Sequence, residues 1–267
     1  LYSCQADGSD LKRHTHSEAF YVRHPSTDGS RIVYHCGADL FVYDPKTDKN
    51  KRIKVQLGSP RTQTRRHFLS ASSTLESYAL DPAGNTLAMT IRGQVVSMGC
   101  WEGPATLVGA SAGRRYRHAQ FTANGNAIIA IVDDGSAPKG APKETGREVF
   151  VLLNRDGSTA QRFDKVKIGR PLEFVSSPDG KYLAYANVKQ QIALLDLEKG
   201  KQRVIEHSAF GRPADLTWSP DSEWLAYSFP QTQTTSAIRL ANAKSGEVTP
   251  VTDGTYPDFA PSFDPKG

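Results

Sequence analysis

Six variants of one short turn phrase punctuate this chain. They read STDG (Ser26–Gly29), DPAG (Asp81–Gly84), TANG (Thr122–Gly125), SPDG (Ser177–Gly180), SPDS (Ser219–Ser222) and DPKG (Asp264–Gly267). Each follows an alternating apolar stretch, and all but the last precede a β-rich run such as IVY, LAM, IIAIV, LAYAN or LAYSF. Successive phrases lie 55, 41, 55, 42 and 45 residues apart. Several short strands per repeat, at a period of about 40–45 residues, predict a β-propeller. Loops inserted into two of the repeats account for the longer intervals.

A single unit shows the expected layout. Tyr21–Pro25 reads as an inner strand, Ser26–Gly29 as a tight turn, Ile32–His35 as a second strand and Leu40–Tyr43 as a third. DPKTD then turns the chain into a fourth strand at Arg52–Val55. Asp and Gly suit such hairpins because one caps its own backbone and the other tolerates positive φ. The strand–turn–strand phrase that ends the unit recurs at Val95–Val108, Val149–Phe163, Ile192–Ile205 and Ile238–Thr252, and it also forms Leu1–Thr15. The expected fold is therefore all-β, a single propeller domain of four-stranded antiparallel blades. Residues 20–252 hold five complete blades, residues 1–15 the outer strands of a preceding one, and residues 256–267 the inner strand of a following one. Such an array is a portion of a larger propeller, or closes as six if the two partial blades complete each other.

Aligning the turn phrases on their last residue sorts the inner strands into columns. Two columns are mostly large and apolar: Pro25, Leu80, Phe121, Ser176, Trp218 and Phe263, then Arg23, Tyr78, Ala119, Phe174, Leu216 and Pro261. The alternating columns are small or polar: His24, Ala79, Gln120, Val175, Thr217 and Ser262, then Val22, Ser77, His118, Glu173, Asp215 and Ala260. Because side chains alternate along a strand, the second pair suits the wet wall of a central channel. The expected channel-lining residues are His24, Ser77, His118, Gln120, Glu173, Asp215 and Thr217. Arg23 and Arg117 are basic residues on the same strands.

The formal net charge of +5 is unevenly spread. Arg61, Arg65 and Arg66 fall in one insertion, Gly58–Ser73, and Lys139, Lys143 and Arg147 in another, Asp133–Arg147; Arg114, Arg115 and Arg117 crowd a third stretch. No nucleic-acid-binding motif accompanies them, and they read as solvated loops. No stretch approaches the ~20 apolar residues of a membrane helix, and no leader-like segment is present, so neither membrane nor export is expected. Three widely spaced cysteines without CxxC spacing suit a reducing compartment, hence the cytoplasm. There is no GxSxG elbow, P-loop, GxGxxG, HExxH or calcium loop. His14 and His16 sit two residues apart at a strand end, which is no ligand pattern. The expectation is no catalytic residue, metal or cofactor in this chain, unless folding gathers distant Ser, His and Asp side chains.

WSPD at Trp218–Asp221, with DLEKGK and NAKSGE after third strands, is the general idiom of TolB-like propellers. Longer phrases are more specific: LYSCQADGSDLKRHT (Leu1–Thr15), DGSRIVYHCGADLFVYDP (Asp28–Pro45), ESYALDPAGNTLAMTIRGQVVSM (Glu76–Met98), GRRYRHAQF (Gly113–Phe121), GRPADLTWSPDSEWLAYSF (Gly211–Phe229) and DFAPSFDPKG (Asp258–Gly267). In this order they resemble the second, seven-bladed propeller of tricorn-type proteases. The resemblance implies a cytosolic, homo-oligomeric serine protease that also carries a PDZ domain and a catalytic region. Its seven-bladed propeller would act as a filter for extended peptides, with Arg23 and Arg117 as basic candidates for attracting peptide carboxylates. No position here matches the family's catalytic motif. The alternative is a TolB-like propeller that serves as a non-catalytic scaffold for a protein partner.

Overall fold

The computed structural model describes residues 1–17, 19–56, 58, 70, 72–109, 113–133 and 148–265. Every regular element among them is a β-strand. The chain divides into two compact units: Leu1–Ser70 with Asp134–Arg147, and Ala71–Asp133 with Glu148–Gly267.

In the first unit, β1 (Tyr2–Ser3) and β2 (Lys12–Arg13) form a hairpin. A four-stranded antiparallel sheet follows in sequence order: β3 (Val22–Thr27), β4 (Ile32–Cys36), β5 (Asp39–Asp44) and β6 (Lys49–Ile53). Its core is Tyr34, Cys36, Phe41 and Tyr43. The fourth strand begins earlier than the sequence suggests. Asp48 takes a positive φ of 51°, so the turn closes between Asp44 and Lys49 and pairing starts at once.

The second unit repeats that sheet four times, each in sequence order. One sheet comprises β7 (Leu75–Leu80), β8 (Thr86–Ile91), β9 (Gln94–Gly99) and β10 (Thr106–Val108). The next comprises β11 (Arg115–Phe121), β12 (Ala127–Asp133), β13 (Val149–Asn154) and β14 (Thr159–Arg162). Then come β15 (Pro171–Ser176), β16 (Tyr182–Asn187), β17 (Gln191–Asp196) and β18 (Lys201–His207). The last sheet is β19 (Ala214–Trp218), β20 (Trp224–Pro230), β21 (Ser236–Asn242) and β22 (Val248–Pro250).

Strand periodicity explains why these sheets stack as blades. In β12, Ile128, Ala130 and Val132 point into one apolar layer, with Tyr116 and Leu153. The alternate residues Ile129 and Ile131 point into the next layer, with Phe150, Phe174 and Tyr185. The same division separates Leu183 and Tyr185 from Ala184 and Ala186 in β16. A middle strand covered on both faces needs a continuous apolar run rather than polar–apolar alternation. IIAIV and LAYA are such runs.

The recurring turn phrase has a specific chemistry. Ser177 Oγ donates to Asp179 Oδ1 (2.6 Å) and accepts from Tyr182 N (2.9 Å), while Ser177 N donates to Tyr182 O (2.8 Å). Gly180, at φ +72°, donates its N–H back to Ser177 O. Thr122 with Asn124, and Ser219 with Asp221, repeat the arrangement. In DPAG the Asp81 carboxylate does the work alone, accepting from Asn85 N and Thr86 N. STDG differs: Asp28 N donates to Arg31 O, and Asp28 Oδ1 accepts from Ser30 N and Arg31 N. This turn is two residues shorter than the others.

The shorter turn moves the first sheet's alignment. Thr27 faces Ile32 as Leu80 faces Leu87, Phe121 faces Ile128, Ser176 faces Leu183 and Trp218 faces Leu225. Alignment on the turn's last residue groups His24 with Gln120 and Thr217; the strand register instead groups it with Ser77, His118, Glu173 and Asp215. All five lie at a β-bulge, where the ladder slips between Arg23 and Ser26, Leu75 and Ser77, Arg117 and Gln120, Pro171 and Glu173, or Ala214 and Thr217. His24, His118 and Asp215 take positive φ there, at 49°, 50° and 58°. Ala260 repeats that conformation at φ 52°, but no strand forms over residues 256–265. That segment is tied instead by Asp258 N to Ser236 O (3.0 Å) and by Ser236 Oγ to Asp258 O (2.6 Å).

Candidate functional site

The bulged row on the first strand of each sheet is where polar side chains collect. Within the second unit these strands are linked sheet to sheet. Gln120 Nε2 donates to Phe174 O (2.8 Å), and Trp218 Nε1 donates to Val175 O (3.2 Å). Ala123 N donates to Ser176 Oγ (3.0 Å), and Asp179 N donates to Ser222 Oγ (3.0 Å). A bulge leaves backbone N–H groups outside the ladder, and buried ones need acceptors. Two carboxylates supply them. Glu173 accepts from Leu216 N (2.8 Å) and Asp215 N (3.1 Å) on the neighbouring first strand. Asp215 in turn accepts from Ala260 N (3.1 Å) and from Ser228 Oγ (2.9 Å). Thr90 Oγ1 performs the same service for Ala119 N (3.0 Å).

The remaining polar positions are differently placed. His118 is half-buried; burial, then the Arg117 charge, hold its imidazole below the ordinary value, against the pull of Glu76. Ser77 is half-buried and its Oγ has no partner among the described residues. Thr217 is half-buried and pairs with Ala226. In the first unit His24 is exposed and stacks on His35, ring centroids 5.0 Å apart, while Arg23 is exposed and pairs with that same residue.

Arg117 carries no free charge. Its Nε donates to Glu148 Oε1 (2.9 Å) and its Nη2 to Glu148 Oε2 (2.8 Å), with a further bond from Nη2 to Pro171 O (3.3 Å). The two side chains are 13% and 5% exposed. Glu148 gave no signal in sequence, being one acid at the end of a polar insertion. Arg155 is a second clamp with no signal in the sequence: it donates to Gly125 O (2.8 Å) and Asp81 Oδ2 (3.1 Å), joining the turns of two sheets. Arg61, Arg65, Arg66, Lys139, Lys143 and Arg147 lie outside the described residues.

Among the described residues no group of three His, Cys, Asp or Glu side chains is arranged to hold a metal ion. No helix among them is long and apolar enough to cross a membrane.

Sheets of this order have a counterpart. The sequence model described as "Tricorn protease second beta propeller domain" matches residues 75–267. The chain belongs to that tricorn propeller family. Its similarity extends beyond the matched region. The tricorn protease homolog of Saccharolobus solfataricus is 31% identical over 273 residues, covering 100% of this chain and 23% of the relative. The crystal structure of the tricorn protease superposes with a TM-score of 0.64 at 27% identity, over 99% of this chain and 25% of that one. This tricorn-family chain thus spans about a quarter of the length of the proteins it resembles. The putative TolB from Agrobacterium tumefaciens shares the fold at 19% identity, with a TM-score of 0.52 over 86% of this chain and 74% of its own.

Proposed function

We propose that this chain is the propeller of a tricorn-like cytoplasmic serine protease, and that it filters extended peptides on their way to a catalytic region carried elsewhere in the protein. The chain itself supplies no catalytic group for peptide cleavage, no metal and no cofactor. Its partners are peptide substrates and the PDZ and catalytic segments of a homo-oligomeric parent.

One observation carries this reading: three polar side chains of the first strands in the second unit, Gln120, Glu173 and Asp215, are bonded to backbone. Glu173 spends its carboxylate on N–H groups of the adjoining strand, Asp215 its own on Ala260 N of the segment that follows the last sheet, and Gln120 its amide on a carbonyl. A wall preorganised in this way is polar yet offers little that selects one side chain over another. It suits a thread of arbitrary sequence, whose own backbone stays hydrated, and does not suit a single shaped ligand. Ser77, His118 and Thr217 would complete the wall in the second unit; in the first unit, His24 and the basic Arg23 are the exposed residues of the corresponding strand.

The test is made in the whole parent protein. Cysteines replacing Gln120 and Thr217 are bridged with a flexible bis-maleimide, and hydrolysis of long and short peptides is compared before and after. Selective loss of long-peptide turnover is expected; equal turnover of both lengths sinks the filter. The runner-up, a protein-binding scaffold, draws on exposed Tyr256 and Phe259, each 75% accessible. It predicts that Tyr256→Ser with Phe259→Ser abolishes partner capture and leaves peptide turnover unchanged.

A further inference from the structure

In the first unit, three side chains far apart in sequence meet at the junction of the β1–β2 hairpin and the β5–β6 turn. Ser3 Oγ lies 2.7 Å from His14 Nε2, and His14 Nδ1 lies 2.7 Å from Asp48 Oδ1. The tautomer follows from the acceptor. An ionised carboxylate can only accept, so in neutral His14 the proton sits on Nδ1 and Nε2 is left to accept from the Ser3 hydroxyl. Asp48 is firmly ionised: hydrogen bonds from His14, Lys12 and Tyr43 hold its carboxyl well below the usual carboxylate range. Tyr43 Oη donates to Asp48 Oδ1 (2.9 Å) and Lys12 Nζ stands 3.0 Å from Asp48 Oδ2.

The imidazole is also held in place. Its side chain is 9% exposed, its ring lies against Tyr43 with centroids 4.9 Å apart, and its backbone N and O bond to Leu1 O (2.9 Å) and Asn50 Nδ2 (2.7 Å). Ser3 is exposed to solvent. An exposed hydroxyl bonded to a buried imidazole, itself oriented by a carboxylate, is the arrangement of a nucleophile, its base and the orienter of that base.

We propose that Ser3 is an activated nucleophile that takes up acyl groups from activated carboxylic esters, with His14 as general base and Asp48 as its positioning residue. As Ser3 Oγ bonds to the acyl carbon, its proton passes to His14 Nε2. The ester C–O bond breaks, and the departing aryloxide takes up that proton from the imidazolium or from water. No oxidant or reductant is involved. General-base assistance of this kind contributes about 10²–10⁴-fold, so the reactivity is that of a single assisted serine and not that of a complete peptidase.

Ser9 provides an internal control. It lies on the same exposed hairpin, but its hydroxyl donates to Asp7 Oδ1 (2.6 Å) instead of to an imidazole. The intact 267-residue chain is treated with p-nitrophenyl acetate at neutral pH, and acetylation at each serine is read by fragment mass spectrometry. Ser3 should be acetylated at least about 10²-fold faster than Ser9. His14→Gln should bring the ratio close to one, and Asp48→Asn should lower it. A wild-type ratio near one overturns the proposal without any variant, and so does a high ratio that survives His14→Gln. If His14→Gln loosens the hairpin, seen as altered circular dichroism, Asp48→Asn and the wild-type ratio decide it.

Discussion

Glu173 reaches across from one sheet to the next and accepts the N–H of Leu216 at 2.8 Å. The same carboxylate holds Asp215 N at 3.1 Å, so a single side chain satisfies both backbone donors that the β19 bulge releases from its ladder. Removing it leaves those donors without their acceptor. Glu173→Ala should lower unfolding free energy by about 1–3 kcal/mol, read by urea titration. Glu173→Gln, which keeps one acceptor oxygen, should lose less. Equal stability of the alanine variant and the parent would show that water replaces the carboxylate at no cost.

The Arg117–Glu148 pair makes a different prediction. Glu148 is buried, Arg117 is partly buried, and the two are bonded bidentately, so removing one partner strands the other. Arg117→Met or Glu148→Leu alone should cost about 3–5 kcal/mol, while the double variant should fall much closer to the parent. A double-mutant cycle by chemical denaturation measures the coupling; additive single losses would contradict it.

His118 links stability to acidity. Its imidazole is depressed in the folded chain, with burial as the main cause, so the unfolded chain binds the proton more readily. Stability should therefore be fully present above the ordinary imidazole value, about 6.5. It should decline as pH falls from there towards the lower folded value, and then level off. His118→Gln should remove that part of the acid sensitivity. The check is melting temperature between pH 7.5 and 5 for both chains; parallel profiles would remove His118 from the account.

Core layers should respond to truncation according to burial. Ile131 is 1% exposed in the layer it shares with Phe150 and Phe174. Ile131→Ala should cost about 2–5 kcal/mol through lost burial and the cavity left behind. Leu107, 53% exposed at the edge of its sheet, should tolerate alanine within about 0.5 kcal/mol. Midpoints in guanidinium separate the two.

The turn phrase can be tested by deleting its hydroxyl. Ser177 Oγ serves Asp179 and Tyr182 N at once and is fully buried. Ser177→Ala should lower stability by about 1–3 kcal/mol, and Ser177→Thr should retain most of it, since Thr122 fills the same place in its own turn. Thermal melts of the two variants give the comparison.

Much of this architecture is legible in the amino-acid sequence. Turn phrases at fixed offsets, and apolar runs long enough to be covered on both faces, depend on neighbours a few residues apart, and local order in a chain carries such information directly. They determined the strand order and the four-stranded unit. What they left open turns on groups distant in sequence. Glu173 and Leu216 are 43 residues apart, Arg117 and Glu148 31, and His14 and Asp48 34. Whether a polar side chain on a first strand stays free or is taken up by a neighbour's backbone was decided only when sheets stacked. The two-residue shortening of the STDG turn likewise appeared only in the pairing of Thr27 with Ile32, because register is set by interstrand hydrogen bonds and not by the turn's last residue.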